Sequence, residues 1–224
     1  MIKGVLFDMD GVVLDSERIG REIYIARCHQ MGYTKMDDAL FSRLLGITRD
    51  ENRRLLKAEL GEEFPFDEMY EAYRVDLFEM ATRGELPCKA GVKECFEGLK
   101  ARGIKMALAT STARPMVENY QKHIPEMRDA FEFMVCGAEA GRSKPAPDVF
   151  LKAAAGLGLD ITECIGVEDS VAGLQSQTAA GCTRVLVPDL LPNDERFAGL
   201  WDYCLPTLHD LCPLIDRLNG EAHA

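Results

Sequence analysis

The chain has 224 residues, a hydrophobic fraction of 47% and a net charge of −11, which suits one domain or a core domain with an insert. The acidic balance argues against a broad nucleic-acid surface. Without a long apolar run or a signal peptide, we expect no membrane partner. The eight cysteines contain no CxxC pair, which disfavours a zinc site and fits a cytoplasmic protein.

The first predicted element is a buried strand, Ile2–Phe7. It ends in two carboxylates, Asp8 and Asp10, and Gly11 then allows a sharp turn. Residues i and i+2 of a strand share a side, so we expect both carboxylates to aim into one small space. Neighbouring carboxylates repel unless a pKa rises or a cation such as Mg²⁺ binds. The alternative is an ordinary Asp-Gly turn.

Residues 16–85 are predicted to be entirely helical. Helical spacing runs from Ser16 to Gly32 and returns over Asp37–Leu45 and Asp50–Leu60. A last apolar stripe has i, i+4, i+7 spacing and consists of Phe66, Tyr70, Tyr73, Leu77 and Met80. We interpret this stripe as helix core rather than as a cofactor site.

From Leu86 onward, strands and helices alternate. The predicted strands are Ile104–Ala109, Phe133–Cys136, Cys164–Val167 and Arg184–Val187. The predicted helices are Gly91–Arg102, one before the third strand, Pro147–Leu157 and Ser170–Ala180. This order predicts an α/β fold with a parallel sheet covered on both faces. Residues 1–15 and 86–224 then form the core domain, and 16–85 is an insert. We expect the tail Gly220–Ala224 to fray.

Chemically active side chains follow each of the next three strands. Thr110 and Ser111 follow the second strand, Lys144 follows the third, and Glu168 and Asp169 follow the fourth. Ligands bind at the carboxyl ends of parallel strands. Each group also has an ordinary explanation, namely a helix cap, a solvated lysine or a charge pair at a helix start. Their joint occurrence favours a site.

This set of residues fits phosphoryl transfer. Asp8 can attack phosphorus to form an aspartyl-phosphate, while Asp10 protonates the leaving oxygen and then deprotonates water. Mg²⁺ held by Asp8, Asp169 and the Asp10 carbonyl would offset charge. Lys144 and the Thr110 hydroxyl would hold the other oxygens of the transferring group.

The motifs resemble, in order, those of the haloacid dehalogenase superfamily of aspartate-nucleophile phosphotransferases. They are Asp8-Met9-Asp10-Gly11-Val12, Thr110, Lys144 in Ser-Lys-Pro-Ala-Pro-Asp, and Gly166-Val167-Glu168-Asp169-Ser170. The resemblance implies a Rossmann-like core and an α-helical cap at 16–85 that closes over the site. It implies metal ligands among Asp8, Asp10, Glu168 and Asp169, and leaves open which of the last two binds directly.

Within this superfamily, the chain is most similar to sugar-phosphate phosphatases and β-phosphoglucomutases. Gly46-Ile47-Thr48-Arg49 resembles a cap loop whose arginine binds a second phosphate in the mutases, so Arg49 is a candidate substrate contact. Ser111 and Arg114 are two more. The chain departs from the mutases at Gly20, where they have a histidine, and at Ala113-Arg114, where they have a Lys-Asn pair.

We therefore predict a monomeric, Mg²⁺-dependent phosphatase acting on a small phosphorylated metabolite, with a sugar phosphate as the leading choice. The resemblance also implies phosphate esters rather than carbon–halogen bonds, because the dehalogenases of the superfamily lack an acid at the position of Asp10. A sugar phosphomutase is the alternative enzyme. A regulatory protein with an inactive phosphatase fold is a third hypothesis, which the intact motif residues disfavour.

Overall fold

The computed structural model describes residues 1–221, and a parallel sheet forms the centre of that part of the chain. Its strands lie in the order β3-β2-β1-β4-β5-β6. Their bounds are β1 Gly4–Phe7, β2 Lys105–Thr110, β3 Phe133–Cys136, β4 Cys164–Glu168, β5 Thr183–Leu186 and β6 Tyr203–Cys204. The predicted fold class is confirmed. Strand β1 begins two residues later than predicted, and the two-residue β6 was not predicted.

The register of the sheet aligns the ends of its three central strands. Phe7 at the end of β1 pairs with Leu108 of β2 and with Val167 of β4. All pairs are parallel, so the loops after these strands leave the same edge of the sheet. The residues that follow β1, β2 and β4 therefore meet at one place.

Within residues 1–221, five helices of the core accompany the sheet. Their bounds are α5 Val92–Ala101, α6 Arg114–His123, α7 Asp148–Gly156, α8 Val171–Ala180 and α9 Leu211–Glu221. Strand side chains alternate between two hydrophobic clusters, so that Val5 and Phe7 pack with α5, α6 and α9, while Leu6 packs with α7. Helix α9 includes Gly220, which we expected to fray, and residues 222–224 of that tail lie outside the described residues.

The inserted segment folds as four helices around a hydrophobic cluster of its own. They are α1 Ser16–Gln30, α2 Asp38–Ser42, α3 Arg49–Leu60 and α4 Phe66–Thr82. The cluster includes Tyr24, Leu56 and Met69, which are buried. The Thr48 side chain and Glu51 form a capping box that starts α3. Helix α2 is shorter than the predicted Asp37–Leu45, because turns replace the helix after Ser42.

Two chain segments connect the insert to the core, and they run side by side. Leu14 on the outgoing segment and Cys88 on the returning one form an antiparallel bridge. The flanking hydrogen bonds, from Asp15 N to Pro87 O and from Lys89 N to Val13 O, are both 2.9 Å long. The role of residues 16–85 as a cap stays a prediction. None of the helices within 1–221 is long and apolar enough to cross a membrane.

Candidate active site

A buried lysine joins two strand ends of the sheet. Nζ of Lys144 donates hydrogen bonds of 2.5 Å to Oδ1 of Asp8 and 2.6 Å to Oε1 of Glu168. The lysine side chain is only 9% exposed, so it is not the solvated lysine of the ordinary explanation. Burial alone would lower its pKa, but the carboxylates of Asp8 and Glu168 outweigh burial and raise that pKa. The ammonium group therefore stays charged.

Protein donors occupy both oxygens of the Glu168 carboxylate. Oε1 accepts from Lys144, and Oε2 accepts from the backbone N–H groups of Asp169 and Ser170, each at 3.0 Å. The Ser170 hydroxyl also donates to Oε2 at 2.9 Å. Gly173 permits this approach of α8, because a Cβ there would lie 1.8 Å from Oε1. Glu168 thus positions Lys144 and the start of α8.

The Asp169 carboxylate, in contrast, has no hydrogen-bond partner among residues 1–221 and is available to a cation. Asp8, Glu168 and Asp169 each offer one oxygen, and these oxygens lie within 4.8 Å of one another. Burial, followed by the charges of Glu168 and Asp8, raises the pKa of Asp169 well above its ordinary value. The free Asp169 carboxylate beside Asp8 fits Mg²⁺, which prefers hard oxygen ligands, whereas protein donors already occupy the Glu168 oxygens.

Burial and neighbouring carboxylates also affect the ionisation of Asp8. Burial raises the pKa of Asp8 to about 7, and the charges of Glu168 and Asp10 add to the rise, while Lys144 opposes it. A cation bound beside Asp8 would favour the ionised form. The prediction that Asp8 and Asp10 aim into one small space stays a prediction, because the acidic cluster around Asp8 consists of Glu168 and Asp169, and Asp10 makes the smaller of the two carboxylate contributions to the rise.

Two hydroxyl groups hold the carboxylate of Asp10. Ser16 donates to Oδ1 and Thr112 donates to Oδ2, both at 2.7 Å. Ser16 begins α1 of the insert, and Thr112 follows β2 of the core, so both parts of the chain fix this acid. A hydroxyl can donate or accept, which lets the pair support Asp10 in either protonation state.

The end of β2 forms a tight polar turn. Thr110 is buried, and its hydroxyl accepts a hydrogen bond of 3.0 Å from the backbone N–H of Thr112. Ser111 is exposed and faces a cavity. The explanation of Thr110 and Ser111 as helix caps is wrong, because Ala113 is the N-cap residue of α6 and no side chain caps that helix.

That cavity, of about 610 Å³, lies between the inserted helices and the strand ends. Asp10, Ser111 and Thr112 line its core side. The insert contributes three arginines and three tyrosines, which are Arg21, Arg49, Arg74, Tyr24, Tyr70 and Tyr73. Small-molecule sites have volumes of about 300–1,000 Å³, so the cavity can hold a metabolite next to Asp10.

The two arginines predicted to contact substrate lie in different places. Arg49 lines the cavity, stacks 4.2 Å above the Tyr70 ring and pairs with Asp67 at 3.0 Å. Arg114 is instead paired with Glu139 and donates to the carbonyl of Met134 at 3.1 Å. The structure therefore brings Arg49 toward the site but holds Arg114 at the edge strand β3.

Three residues at the site were missed from the sequence. Ser16 and Thr112 hold Asp10, and Asp189, in the loop after β5, lies near Gly11. The position of Asp189 after a strand is the same pattern that identified the other acids. The hydroxyl partners carry no such pattern, because hydroxyl residues are also common in turns and caps.

Comparisons with known proteins place the chain in a family. A family model described as haloacid dehalogenase-like hydrolase matches residues 5–187. The protein CbbY of Rhodobacter capsulatus is 31% identical over 219 residues, covering 92% of this chain and 94% of CbbY. Hexitol phosphatase B of Escherichia coli is 31% identical over 215 residues, covering 94% of each chain.

A solved structure agrees with these relatives. A mutant of CbbY from Rhodobacter sphaeroides, crystallised with xylulose-1,5-bisphosphate, has a TM-score of 0.74 and 25% identity. The match covers 94% of this chain and 96% of that one. The chain belongs to the haloacid dehalogenase-like hydrolase family, as its motifs predicted. Family membership and the phosphatase relatives identify it as an enzyme that hydrolyses phosphoric monoesters.

Proposed function

We propose that the enzyme is a Mg²⁺-dependent sugar-phosphate phosphatase that works through an aspartyl-phosphate on Asp8. The observation that carries this proposal is the contact of Lys144 with both Asp8 and Glu168 beside the unpartnered Asp169. This arrangement places one ammonium group among three acidic side chains, so the cluster has room for a further cation beside the buried Asp8. Phosphoryl transfer needs positioning and charge neutralisation above all.

The first half-reaction moves the phosphoryl group to the enzyme. An oxygen of Asp8 forms a bond to phosphorus while the bond from phosphorus to the ester oxygen breaks. Asp10 gives its proton to the departing alkoxide and becomes a carboxylate, which Ser16 and Thr112 stabilise by hydrogen bonds. Lys144 remains charged and offsets the negative charge of the phosphoryl oxygens.

The second half-reaction releases phosphate. The oxygen of a water molecule attacks the phosphorus of the aspartyl-phosphate, and the bond from phosphorus to the Asp8 oxygen breaks. Asp10 takes the water proton, so that both carboxyl groups return to their starting protonation states. Because Asp10 lines the cavity, it can reach both the leaving oxygen and the water from that side.

The acidic cluster fits a resident Mg²⁺. Asp8 and Asp169 would hold the ion together with the backbone carbonyl of Asp10, and Glu168 would hold Lys144 instead. The ion would supply positive charge to the transferring group. The saturation of both Glu168 oxygens by protein donors supports Asp169 as the direct ligand.

The cavity supports a polyhydroxylated substrate. Guanidinium groups and tyrosine rings line it, and these groups can contact hydroxyls and anionic substituents. Two relatives support this inference, since one is named hexitol phosphatase B and a CbbY mutant was crystallised with xylulose-1,5-bisphosphate. We infer a small sugar or sugar-alcohol phosphate with its ester beside Asp10 and its hydroxyls toward the insert.

The identity of residue 20, a glycine, favours hydrolysis over mutase chemistry. This residue faces Tyr73, since a Cβ on Gly20 would lie 3.5 Å from that ring. Because glycine has no side chain, the chain offers no imidazole at the position where mutases carry a histidine.

The eight cysteines are free, and six of them are buried, which supports the proposal of a reducing cytoplasm.

The test of the proposed function is a screen of purified enzyme against phosphorylated sugars and sugar alcohols, with Mg²⁺ or with EDTA. We expect Mg²⁺-dependent release of phosphate and loss of turnover in Asp8→Asn. Acid quenching during turnover should leave phosphate on the peptide that contains Asp8, detectable by mass spectrometry. Turnover at the normal rate in Asp8→Asn would contradict the mechanism.

A further inference from the structure

Asp189, in the loop after β5, has a carboxylate that protein groups satisfy only in part. Its side chain is 5% exposed, and Oδ1 pairs with Nζ of Lys89. Oδ2 is buried and has no hydrogen-bond partner among residues 1–221. A buried charged oxygen without a partner is costly, so such an oxygen points to a ligand or an ordered water.

This free oxygen lies beside the proposed metal ligand Asp169. A Cβ on Gly11 would lie 2.3 Å from Oδ2 of Asp169 and 3.1 Å from Oδ2 of Asp189. Both oxygens therefore approach the same point above the Gly11 backbone. Two carboxylate oxygens that converge on one point repel each other unless a cation or a hydrogen-bond donor lies between them.

Lys89 does not supply that donor to the free oxygen. Its ammonium group pairs with Oδ1 of Asp189 and lies 3.7 Å from Oδ1 of Asp15, on the segment that leads into the insert. The lysine is therefore engaged between these two acids. The Asp189 oxygen that faces Asp169 therefore keeps its capacity to accept a hydrogen bond.

We propose that Asp189 is a positioning residue for the metal, and that its Oδ2 accepts a hydrogen bond from a water ligand of Mg²⁺. The proposal rests on the proposed function, because it takes Asp8 and Asp169 as the ligands of that ion. Mg²⁺ keeps several of its water ligands when it binds proteins. Carboxylates that hold such ligands orient them and raise the affinity of the site.

The test is a titration of the metal-free protein with Mn²⁺, whose electron paramagnetic resonance signal falls when the ion binds. Asp189→Asn keeps the size of the side chain but removes its charge. We expect it to weaken Mn²⁺ binding about tenfold or more. Mg²⁺ should displace the Mn²⁺ from both proteins, which shows that the two ions share the site.

Two further variants separate metal positioning from structural support. Lys89→Met removes the ion pair but leaves the Asp189 charge, so Mn²⁺ affinity should stay equal or rise. Asp216→Asn, which loses one negative charge at an exposed pair with Arg102, should bind Mn²⁺ as the unmodified enzyme does. Equal weakening in Lys89→Met and Asp189→Asn, or normal affinity in Asp189→Asn, would overturn the proposal.

The metal titration is independent of the proposed function because it needs no substrate. Normal Mn²⁺ affinity in Asp189→Asn, in an enzyme that hydrolyses sugar phosphates, would refute the inference alone. A chain without phosphatase activity, whose metal affinity still falls in Asp189→Asn, would refute the function alone. If Asp189→Asn does not fold, as thermal unfolding without metal would show, Asp189→Ser is titrated in its place with the same expected weakening.

Discussion

The Thr112 hydroxyl donates a hydrogen bond of 2.7 Å to Oδ2 of Asp10, although 102 positions separate the two residues in the chain. The bond connects the turn after β2 to the residue that we propose as general acid and base. Its partner on the other oxygen, Ser16, belongs to the insert. The acid is therefore aligned by contacts that form only when the core and the insert are both in place.

Thr112→Val removes this donor and keeps the shape of the side chain. We expect kcat to fall about 10- to 100-fold, because Asp10 loses its alignment to the leaving oxygen, while KM changes little. Thr112→Ser keeps the hydroxyl and should retain most of the activity. The measurement is steady-state phosphate release, and equal losses in the two variants would argue against a role for the hydroxyl.

Lys144→Met removes the cation between two buried carboxylates. We expect kcat to fall about 10²- to 10³-fold, since the positive charge on the transferring group is lost. The variant should also unfold at lower temperature when metal is absent, because Asp8 and Glu168 remain buried without a counter-charge. Arg142→Met, at an exposed pair with Asp148, is the control and should change neither value appreciably.

Gly11→Ala tests how closely the backbone approaches the proposed metal ligand. Gly11 has φ of 76°, and an added Cβ would lie 2.3 Å from Oδ2 of Asp169, so this carboxylate must move. We expect weaker Mg²⁺ binding and lower activity at limiting Mg²⁺.

Gly103→Ala is a matched control for Gly11→Ala. Its φ is 67°, and no atom lies within 4 Å of the added Cβ. Both variants carry the backbone strain of roughly 1–2 kcal/mol for alanine in this conformation. Calorimetric unfolding should therefore show a similar loss of stability from strain in both variants, while only Gly11→Ala should need more Mg²⁺ for phosphate release. An equal Mg²⁺ dependence in the two variants would contradict the contact with Asp169.

The metal-free enzyme should lose stability as pH rises from about 5 to 8. Burial raises the pKa of Asp8 to about 7, and it also raises that of Asp169. In the unfolded chain aspartate titrates near pH 4, so across this range the folded protein binds more protons than the unfolded chain. The free energy of unfolding then falls with rising pH.

Thermal unfolding in EDTA, measured between pH 5.5 and pH 8, checks this expectation. Mg²⁺ should raise the melting temperature more at pH 8 than at pH 5.5, because it binds the ionised carboxylates. Asp8→Asn removes one of the titrating groups, so its stability in EDTA should depend less on pH. A melting temperature in EDTA that rises toward pH 8 would contradict the expectation.

The sequence allowed us to predict which residues meet at the centre of the candidate site. The prediction used only the topology of the sheet, because ligands bind at the carboxyl ends of parallel strands. Parallel strands bring their carboxyl ends to one edge, so Asp8, Lys144 and Asp169 meet although they lie far apart in the chain. Asp189 obeys the same rule. Its importance depends on a missing hydrogen-bond partner, which only three-dimensional contacts reveal.

The directions of long side chains were beyond sequence reasoning. Arg114 was expected to reach substrate, but Glu139 in the short 3₁₀ helix after β3 holds its guanidinium group. Our proposal of Asp169 rather than Glu168 as the direct metal ligand likewise rests on local backbone donors, since two N–H groups and a hydroxyl converge on Glu168 alone. Such contacts follow from loop conformation rather than from residue spacing.

The place of β1 in the middle of the sheet has a consequence for how the enzyme is made. Gly4 pairs with Lys105 on one side and with Cys164 on the other, so the strand before Asp8 can gain its second neighbour only after residue 164 has been made. A ribosome-bound chain that ends before β4 would thus leave this apolar strand unpaired on one side, and such unpaired edges are prone to aggregate.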